Sequence, residues 1–424
     1  MKSKVMLVAA IFVWLAQMQQ ASLAQLSDQD GAQAPAEVAA PYSEAPPMAP
    51  QEGYIGDSSP SFGQCLDEDD SCGCRSLDLW GGVEYLMWWR KGSHLPPIIG
   101  TSPPGTPLNN ASVIGTPGYK TLYGDSQAGQ TMQNGGRVTI GVWLDPQHNV
   151  GLGGRFFGLG GGTQTFNISS NSTGSPILGR PFFDVDLNRE NAVLIAYPGL
   201  ARGSIHTTYT NQFLGAEVFG KIMLEENCKR RFDLVGGYQF YRLDDTFRVN
   251  STTTNIDPNG FFPLGTTVDS RDRFRAYNQF HGGSFGLQST RCRGRWSILT
   301  LGKLAIGNMR QSILIDGSST LTVPGVGSAT QNGGVLALPS NIGNHVRDRF
   351  CFVPEFNTNL SYQLSQHVSV SIGYNLIWFS NVVTSTDQID RNISRSQATP
   401  QPAFSFREQN YWVQGMNFGA AWDF

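Results

Sequence analysis

Residues Tyr411–Phe424 read YWVQGMNFGAAWDF. In steps of two from the end, Phe424, Trp422, Ala420, Phe418 and Met416 share one face, with Trp412 beyond Gln414. The other face carries Asp423, Ala421, Gly419, Asn417, Gly415, Val413 and Tyr411. Period-two alternation places the two sets on opposite sides of one strand. One side is large, apolar and aromatic near both ends; the other is mostly small or polar. A strand with lipid on one side and a wet lumen on the other needs this pattern, and a soluble sandwich strand is the competitor. A chain ending on an aromatic strand favours the membrane. Phe424, Trp422 and Phe418 are expected to be the assembly signal read by a barrel-assembly machinery.

Working outward, the other end of the chain agrees. Lys2 and Lys4 precede the apolar run Val5–Ala16, and Ser22-Leu-Ala24 offers small residues for cleavage. Residues 1–24 therefore read as a secretory signal peptide. No other run of about 18 apolar residues exists, which excludes a helical membrane protein. The 424 residues include 49 Gly and 25 Phe with only 15% charged residues and a net charge of −3. Without the signal the charge is about −5, which argues against a nucleic-acid partner.

Residues 25–76 form a Pro- and Ala-rich segment without apolar periodicity, expected to be a disordered periplasmic linker. It carries Cys65, Cys72 and Cys74. In an exported chain these read as disulfide candidates rather than zinc ligands, since C-x-C lacks the usual zinc spacing. Cys228 and Cys292 lie in two short charged turns and complete the candidate set; Cys351 is the odd one, inside a strand. The pairing stays open.

From residue 77 to 424 the alternation predicts ten strands: 77–90, 137–145, 150–160, 204–223, 231–249, 273–290, 296–315, 350–362, 368–379 and 411–424. Further strands from 161–203 would raise the number to twelve. Breaks in phase near Phe213–Leu214 and Gly282–Gly283 predict bulges or glycine kinks. The connections alternate long and short. The long ones are 91–135, 161–203, 250–272, 316–349 and 380–409; the short ones are 146–149, 224–230, 291–295 and 363–367. Outer-membrane barrels keep short periplasmic turns and long external loops. The expected fold is all-β, a transmembrane antiparallel up-and-down barrel in the outer membrane of a Gram-negative-type bacterium.

The segments WGGVEYLMWWRKGSHLPPIIGTSP, GGRVTIGVWLD, RPFFDV, YPGL, GAEVF, RDRFRAYNQFHGG, RGRWSILTLGKLAIGN, ALPSNIGNHVRDRF, SIGYNLIWFSNVVTSTDQIDRNI and YWVQGMNFGAAWDF occur in this order. Together they resemble the beta-barrel porin family, numbered seven, described from planctomycetes. The resemblance runs from about Leu77 to Phe424. It implies an outer-membrane porin without an established substrate, and it brings no catalytic, ligand or cofactor residue.

Asp78, Glu84, Arg90, Arg137, Arg155, Glu217, Lys221, Asp233, Arg273, Arg275, Lys303 and Glu355 are expected to line the lumen, because such charges are costly in lipid. Both signs occur, so no ion preference follows. A barrel of about ten strands lies close to the eight-stranded size whose interior is filled by side chains. A salt-bridged plug therefore competes with a narrow pore, and pores in a homo-oligomer are a further route. Passive diffusion of small polar solutes or ions is the leading expectation. A closed structural or surface-binding barrel acting through its long loops is the alternative. An enzyme is not expected: the six histidines are scattered, with Ser204-x-His206 and His345 near Asp348 as weak hints, and no catalytic or metal motif is present. No cofactor is expected.

Overall fold

The computed structural model describes residues 78–260, 262–396 and 398–423. The signal peptide, the linker with Cys65, Cys72 and Cys74, and Phe424 lie outside the described residues. Ten long strands form the wall: β1 (Leu79–Arg90), β2 (Met132–Trp143), β3 (Val150–Ser169), β4 (Ala201–Asn227) and β5 (Arg230–Asn255), then β6 (Thr267–Arg293), β7 (Trp296–Val323), β8 (Gly343–Gln363), β9 (Val368–Val383) and β10 (Glu408–Asp423). Each pairs antiparallel with its sequence neighbours, and β10 pairs with β1 to close the ring. The closing ladder runs from Trp80 opposite Asp423 to Arg90 opposite Val413. The fold is an up-and-down transmembrane β-barrel of ten strands. None of the described residues forms a helix long and apolar enough to cross a membrane.

The alternation that predicts the strands also sets their faces. On β5, Leu234 and Tyr238 point outward while Val235, Gln239 and Tyr241 are buried inside. On β10, Met416 and Phe418 are exposed outside, whereas Tyr411, Val413 and Asn417 are buried. Outward apolar side chains form a belt around the wall, including Val138, Phe285, Ile298, Phe356 and Ile372. At its turn-side edge Trp296 and Tyr362 pack with ring centroids 4.9 Å apart, as an aromatic girdle requires.

The strands extend well past the belt on the long-loop side. β4 to β7 run 26–28 residues, against roughly ten needed to cross. Much of the expected loop 250–272 is therefore strand. The β8–β9 ladder stops at Glu355 opposite Ile377. Above that point side chains bridge the gap: the Ser380 hydroxyl accepts from Phe352 N at 3.2 Å, and the Asn381 amide donates to Phe350 O at 2.9 Å.

Of the two expected irregularities in the wall, the first is present as a bulge and the second is not. The β3–β4 register shifts between Asn211 and Phe213, so Gly160 and Gly161 oppose Gln212 as a bulge next to the predicted site. At Gly282–Gly283 both ladders of β6 continue without a shift, so no bulge exists there. A Cβ at Gly282 would strike the Phe280 ring and Ile306 O; this glycine makes room for an inward ring. Residues 161–203 do not enlarge the ring either. They contain a hairpin, Leu178–Asp184 with Arg189–Ala196, that pairs with Ile99–Thr101 and Asn392–Ile393 in a separate small sheet.

That sheet belongs to a folded cap. Loop residues Leu95, Ile98, Ile99, Leu178, Phe182, Ile195, Val335, Leu336, Ala337, Ile389 and Ile393 pack in one core with Ile205, Tyr209, Phe247, Phe274 and Ile313 from the inner face of the upper barrel. The loops thus bury their apolar side chains inside the barrel mouth, which removes that surface from water. Burial also pushes the Asp387 carboxyl up in the short turn Thr386–Gln388, against the opposing hydrogen bond it accepts from the Thr384 hydroxyl at 2.7 Å.

Candidate functional site

The lumen is organised in levels along the barrel. At the short-turn end lies a vestibule of about 210 Å³, lined by Trp80, Thr139, Trp143, Lys221, Gln288, Asn357, Asn359 and Ser371, with the turn residues Glu226–Arg231 at its rim. Lys221 Nζ lies 4.9 Å from the Trp80 ring centroid and 5.5 Å from that of Trp143, within cation–π reach. Gly141 lets Trp80 lie flat on the wall, since a Cβ there would overlap the indole. Arg231 donates to Asp233 at 2.8 Å and to His148 O at 2.6 Å, and His148 Nε2 is 2.7 Å from Asp78.

Above the vestibule sits a ring of paired charges. Arg137 and Glu84 form a two-contact pair, one of them 2.7 Å long. Lys303 Nζ bridges Glu217 at 2.7 Å and Glu355 at 2.9 Å. Arg155 reaches the same two carboxylates at 3.7 and 3.6 Å. The Lys303 side chain is 1% exposed and those of both glutamates 4%. Buried charges at this depth persist only when paired and hydrogen-bonded. Lys303 and the two glutamates satisfy that condition within one cluster, while Arg155 adds charge at longer range without a hydrogen bond from its Nε.

The next level is apolar. Leu86, Trp88, Phe157, Leu159, Phe213, Tyr241, Phe280, Met309, Val353, Phe379 and Val413 form one buried cluster to which every strand except β2 contributes. Phe213 packs edge-on to Phe157 at 5.2 Å and to Phe379 at 5.9 Å; Tyr241 packs edge-on to Phe379 at 5.3 Å. These are favoured aromatic geometries. Opposite walls touch, so the cluster fills the lumen. The Tyr241 hydroxyl donates to Glu355 at 3.2 Å and ties the plug to the charge ring.

Ten of the twelve expected lumen residues lie on inward faces: Asp78, Glu84, Arg137, Arg155, Glu217, Lys221, Asp233, Lys303 and Glu355 around the vestibule and charge ring, and Arg90 buried higher up, where its charge acts on Asp245 and Tyr411. Arg273 and Arg275 are corrections. The inward set of β6 is Asp272, Phe274, Ala276, Asn278 and Phe280, which puts both arginines on the outer face. They lie above the belt, where no lipid penalises an outward charge, so charge there no longer reports facing.

Several key contacts carry no local sequence signal. Arg180 of the cap pairs with Asp272 at 2.6 Å, both almost fully buried. Asp272 Oδ1 also accepts backbone N–H groups from Val335, Leu336 and Ala337 at 3.0, 3.0 and 2.7 Å. Asn278 clamps Val383 through both its backbone groups, at 2.8 and 3.0 Å. These contacts latch three loops onto the inner wall.

The weak catalytic hints do not converge. His345 stacks on Phe404 at 3.6 Å and contacts Asn341 O, while Asp348 accepts from Asn308 on the outer face. His206 sits with Ser204 on the outer face and is engaged by Asn167 and by Thr208 at 3.0 Å. No group of three or more potential metal ligands occurs among the described residues. Cys228 and Cys292 both line the vestibule, at the foot of β4–β5 and of β6, whereas Cys351 is buried in the plug.

A family model described as "Putative beta barrel porin-7" matches residues 80–424. No curated protein matches the chain. Among solved structures, the chain is similar to the outer membrane protease OmpT from Escherichia coli, with 11% identity, 82% of this chain and 99% of that chain covered, and a TM-score of 0.38. It is also similar to a FadL homologue from Pseudomonas aeruginosa, with 8% identity, 82% and 90% covered and a TM-score of 0.23. For the P. putida toluene transporter TodX the values are 9%, 82% and 89%, with a TM-score of 0.15. At such TM-scores these likenesses carry no weight for this chain's activity.

Proposed function

The chain belongs to the beta barrel porin-7 family, and from that premise we propose that it is an outer-membrane barrel closed at rest, acting through its folded external cap. The observation that carries this is the apolar plug around Phe213, Tyr241 and Phe379, whose rings meet across the barrel between the vestibule and the long-loop side. Water and ions cross an apolar constriction only by dewetting-limited passage, which is a gate rather than a pore. The cap supports the same reading: loops from four connections share one core with the upper barrel, which makes the external surface a packed platform of the kind that carries binding residues. It acts without catalysis.

The family assignment favours a second reading, passive diffusion of small polar solutes or ions through a narrow mixed-charge lumen, with Lys303, Arg155, Glu217 and Glu355 at the constriction. Single-channel conductance of the refolded full chain in a planar bilayer decides between them. The closed-barrel reading expects silence from protein whose folding is verified by heat-dependent gel mobility. Discrete, reproducible steps from such protein would overturn it in favour of diffusion.

A further inference from the structure

Above the lipid-facing belt the outer wall is chemically uneven. On β5, β6 and β7 its outward positions carry Arg242, Arg248, Arg271, Arg273, Arg275 and Arg310, whereas β4 presents one arginine, Arg202 at its upper end, and below it Ser204, His206, Thr208, Thr210 and Gln212. Cross-strand register sets the heights. Phe240, His281 and Asn308 form one row, and the next outward row is Arg242, Gln279 and Arg310. Arg275 lies two rows further up beside Thr246, and Arg248 lies directly opposite Arg273. The arginines therefore begin at the first row past the apolar belt.

Their countercharges are incomplete. Asp244 pairs with Arg242 at 2.8 Å, and Asp316 serves both Arg271, at 3.5 Å, and Arg273. The other two carboxylates on this face, Asp269 and Asp348, accept from the Thr252 hydroxyl and the Asn308 amide. Arg248, Arg275 and Arg310 make no ion pair among the described residues, although Asp348 stands opposite Arg310 and Asp244 lies within electrostatic reach of Arg275. Like charges directly opposite each other in a sheet are destabilising; Asp316 answers Arg273, which leaves Arg248 opposite it as the arginine without an ion pair. Tyr277 stands between the rows, with Arg242 4.6 Å and Arg275 5.5 Å from its ring centroid, which restrains the guanidinium groups against the wall.

We propose that this sector binds the phosphate groups of anionic lipids in the leaflet on the long-loop side, through Arg248, Arg275 and Arg310. Guanidinium matches phosphate with paired, charge-assisted hydrogen bonds. The occupant is a lipid because the sector continues the belt: a headgroup whose acyl chains lie on Phe240 and Ile306 meets Arg310 in the next row, and Arg275 and Arg248 stand two and three rows above it. The site is independent of whether the lumen conducts.

The test uses the full chain in nanodiscs of phosphatidylcholine mixed with phosphatidic acid, with retained lipids counted by native mass spectrometry. Each arginine near a membrane surface contributes about fivefold, so the three together give an anionic preference of about 100-fold. The triple variant R248Q/R275Q/R310Q loses that preference. A control removing three exposed arginines elsewhere, R189Q/R202Q/R395Q, keeps it. If the triple variant fails to fold, Arg275→Gln alone, losing about fivefold, decides. Unchanged preference in the folded variant, or equal loss in the control, overturns the site. Complete displacement of the lipid by millimolar inorganic phosphate overturns the lipid assignment in favour of a soluble anion.

Discussion

Replacing Lys303 by methionine tests the lumen where its chemistry is most demanding. Lys303 touches Glu217 at 2.7 Å and Glu355 at 2.9 Å, and Arg155 stands off both at 3.7 and 3.6 Å. At an effective dielectric of about 20, each Lys303 contact has a gross attraction of about 6 kcal/mol, most of it consumed by desolvation of the ions. Methionine fills similar space but leaves two buried carboxylates sharing one distant guanidinium. Breaking such a pair costs about 3–5 kcal/mol. Urea unfolding of the barrel refolded in lipid vesicles, followed by tryptophan fluorescence, should register that loss. The double variant K303M/E217Q restores one anion to one cation, and its loss should be at least about 2 kcal/mol smaller than that of K303M alone. In a hydrated, open lumen the same pairs would be worth about 0–1 kcal/mol. A loss below about 1 kcal/mol for K303M, or no rescue in the double variant, would therefore refute both the closed ring and the magnitude reasoned from it.

Three further outcomes follow from the faces and latches. Ile140 points to lipid between Gly81 and Gly154, while Thr139 lines the vestibule; Ile140→Arg should cost about 2–4 kcal/mol in the same unfolding assay, and tolerance of it alongside damage from Thr139→Arg would reverse the facing. Asp272→Ala leaves Arg180 buried without its partner and frees three backbone donors; hydrogen exchange at Val335–Ala337 should accelerate by at least about 100-fold, and unchanged protection would show that the latch is not what holds the cap. Cys228 and Cys292 line one vestibule at the end where β1 begins, so disulfides to Cys65, Cys72 or Cys74 should alter gel mobility on reduction; unchanged mobility counts against a pinned N-terminal segment.

The catalytic and lumen expectations fared differently for a physical reason. Within the belt, lipid rejects outward charge, so Glu84, Arg155, Glu217 and Lys303 are assigned inward by composition and phase together. At Arg273 and Arg275 phase and charge disagree, and phase is the one that survives, because the strand pleat persists beyond the hydrocarbon-facing belt while the cost of an outward charge does not. The pairing of Ser204 with His206 on one face is legible in the same way, yet it lies on the outer wall and meets Asn167 and Thr208 rather than a catalytic partner.

Strand number, order and facing lie in the sequence because a barrel wall is built from neighbours: each strand pairs with the next, and the period of two reports lipid against lumen along every one. The rhythm of short turns and long loops orders the ring in the same local way. What crosses the lumen is another matter. Phe213, Tyr241, Phe280 and Phe379 look like ordinary inward residues on four separate strands, and only the curvature of a closed ten-strand ring brings them into one plug. Arg180 and Asp272 likewise show no local sign of each other. Their meeting depends on loops folding back into the barrel mouth, where the buried Asp272 is met by Arg180 from one loop and by the backbone donors of Val335–Ala337 from another.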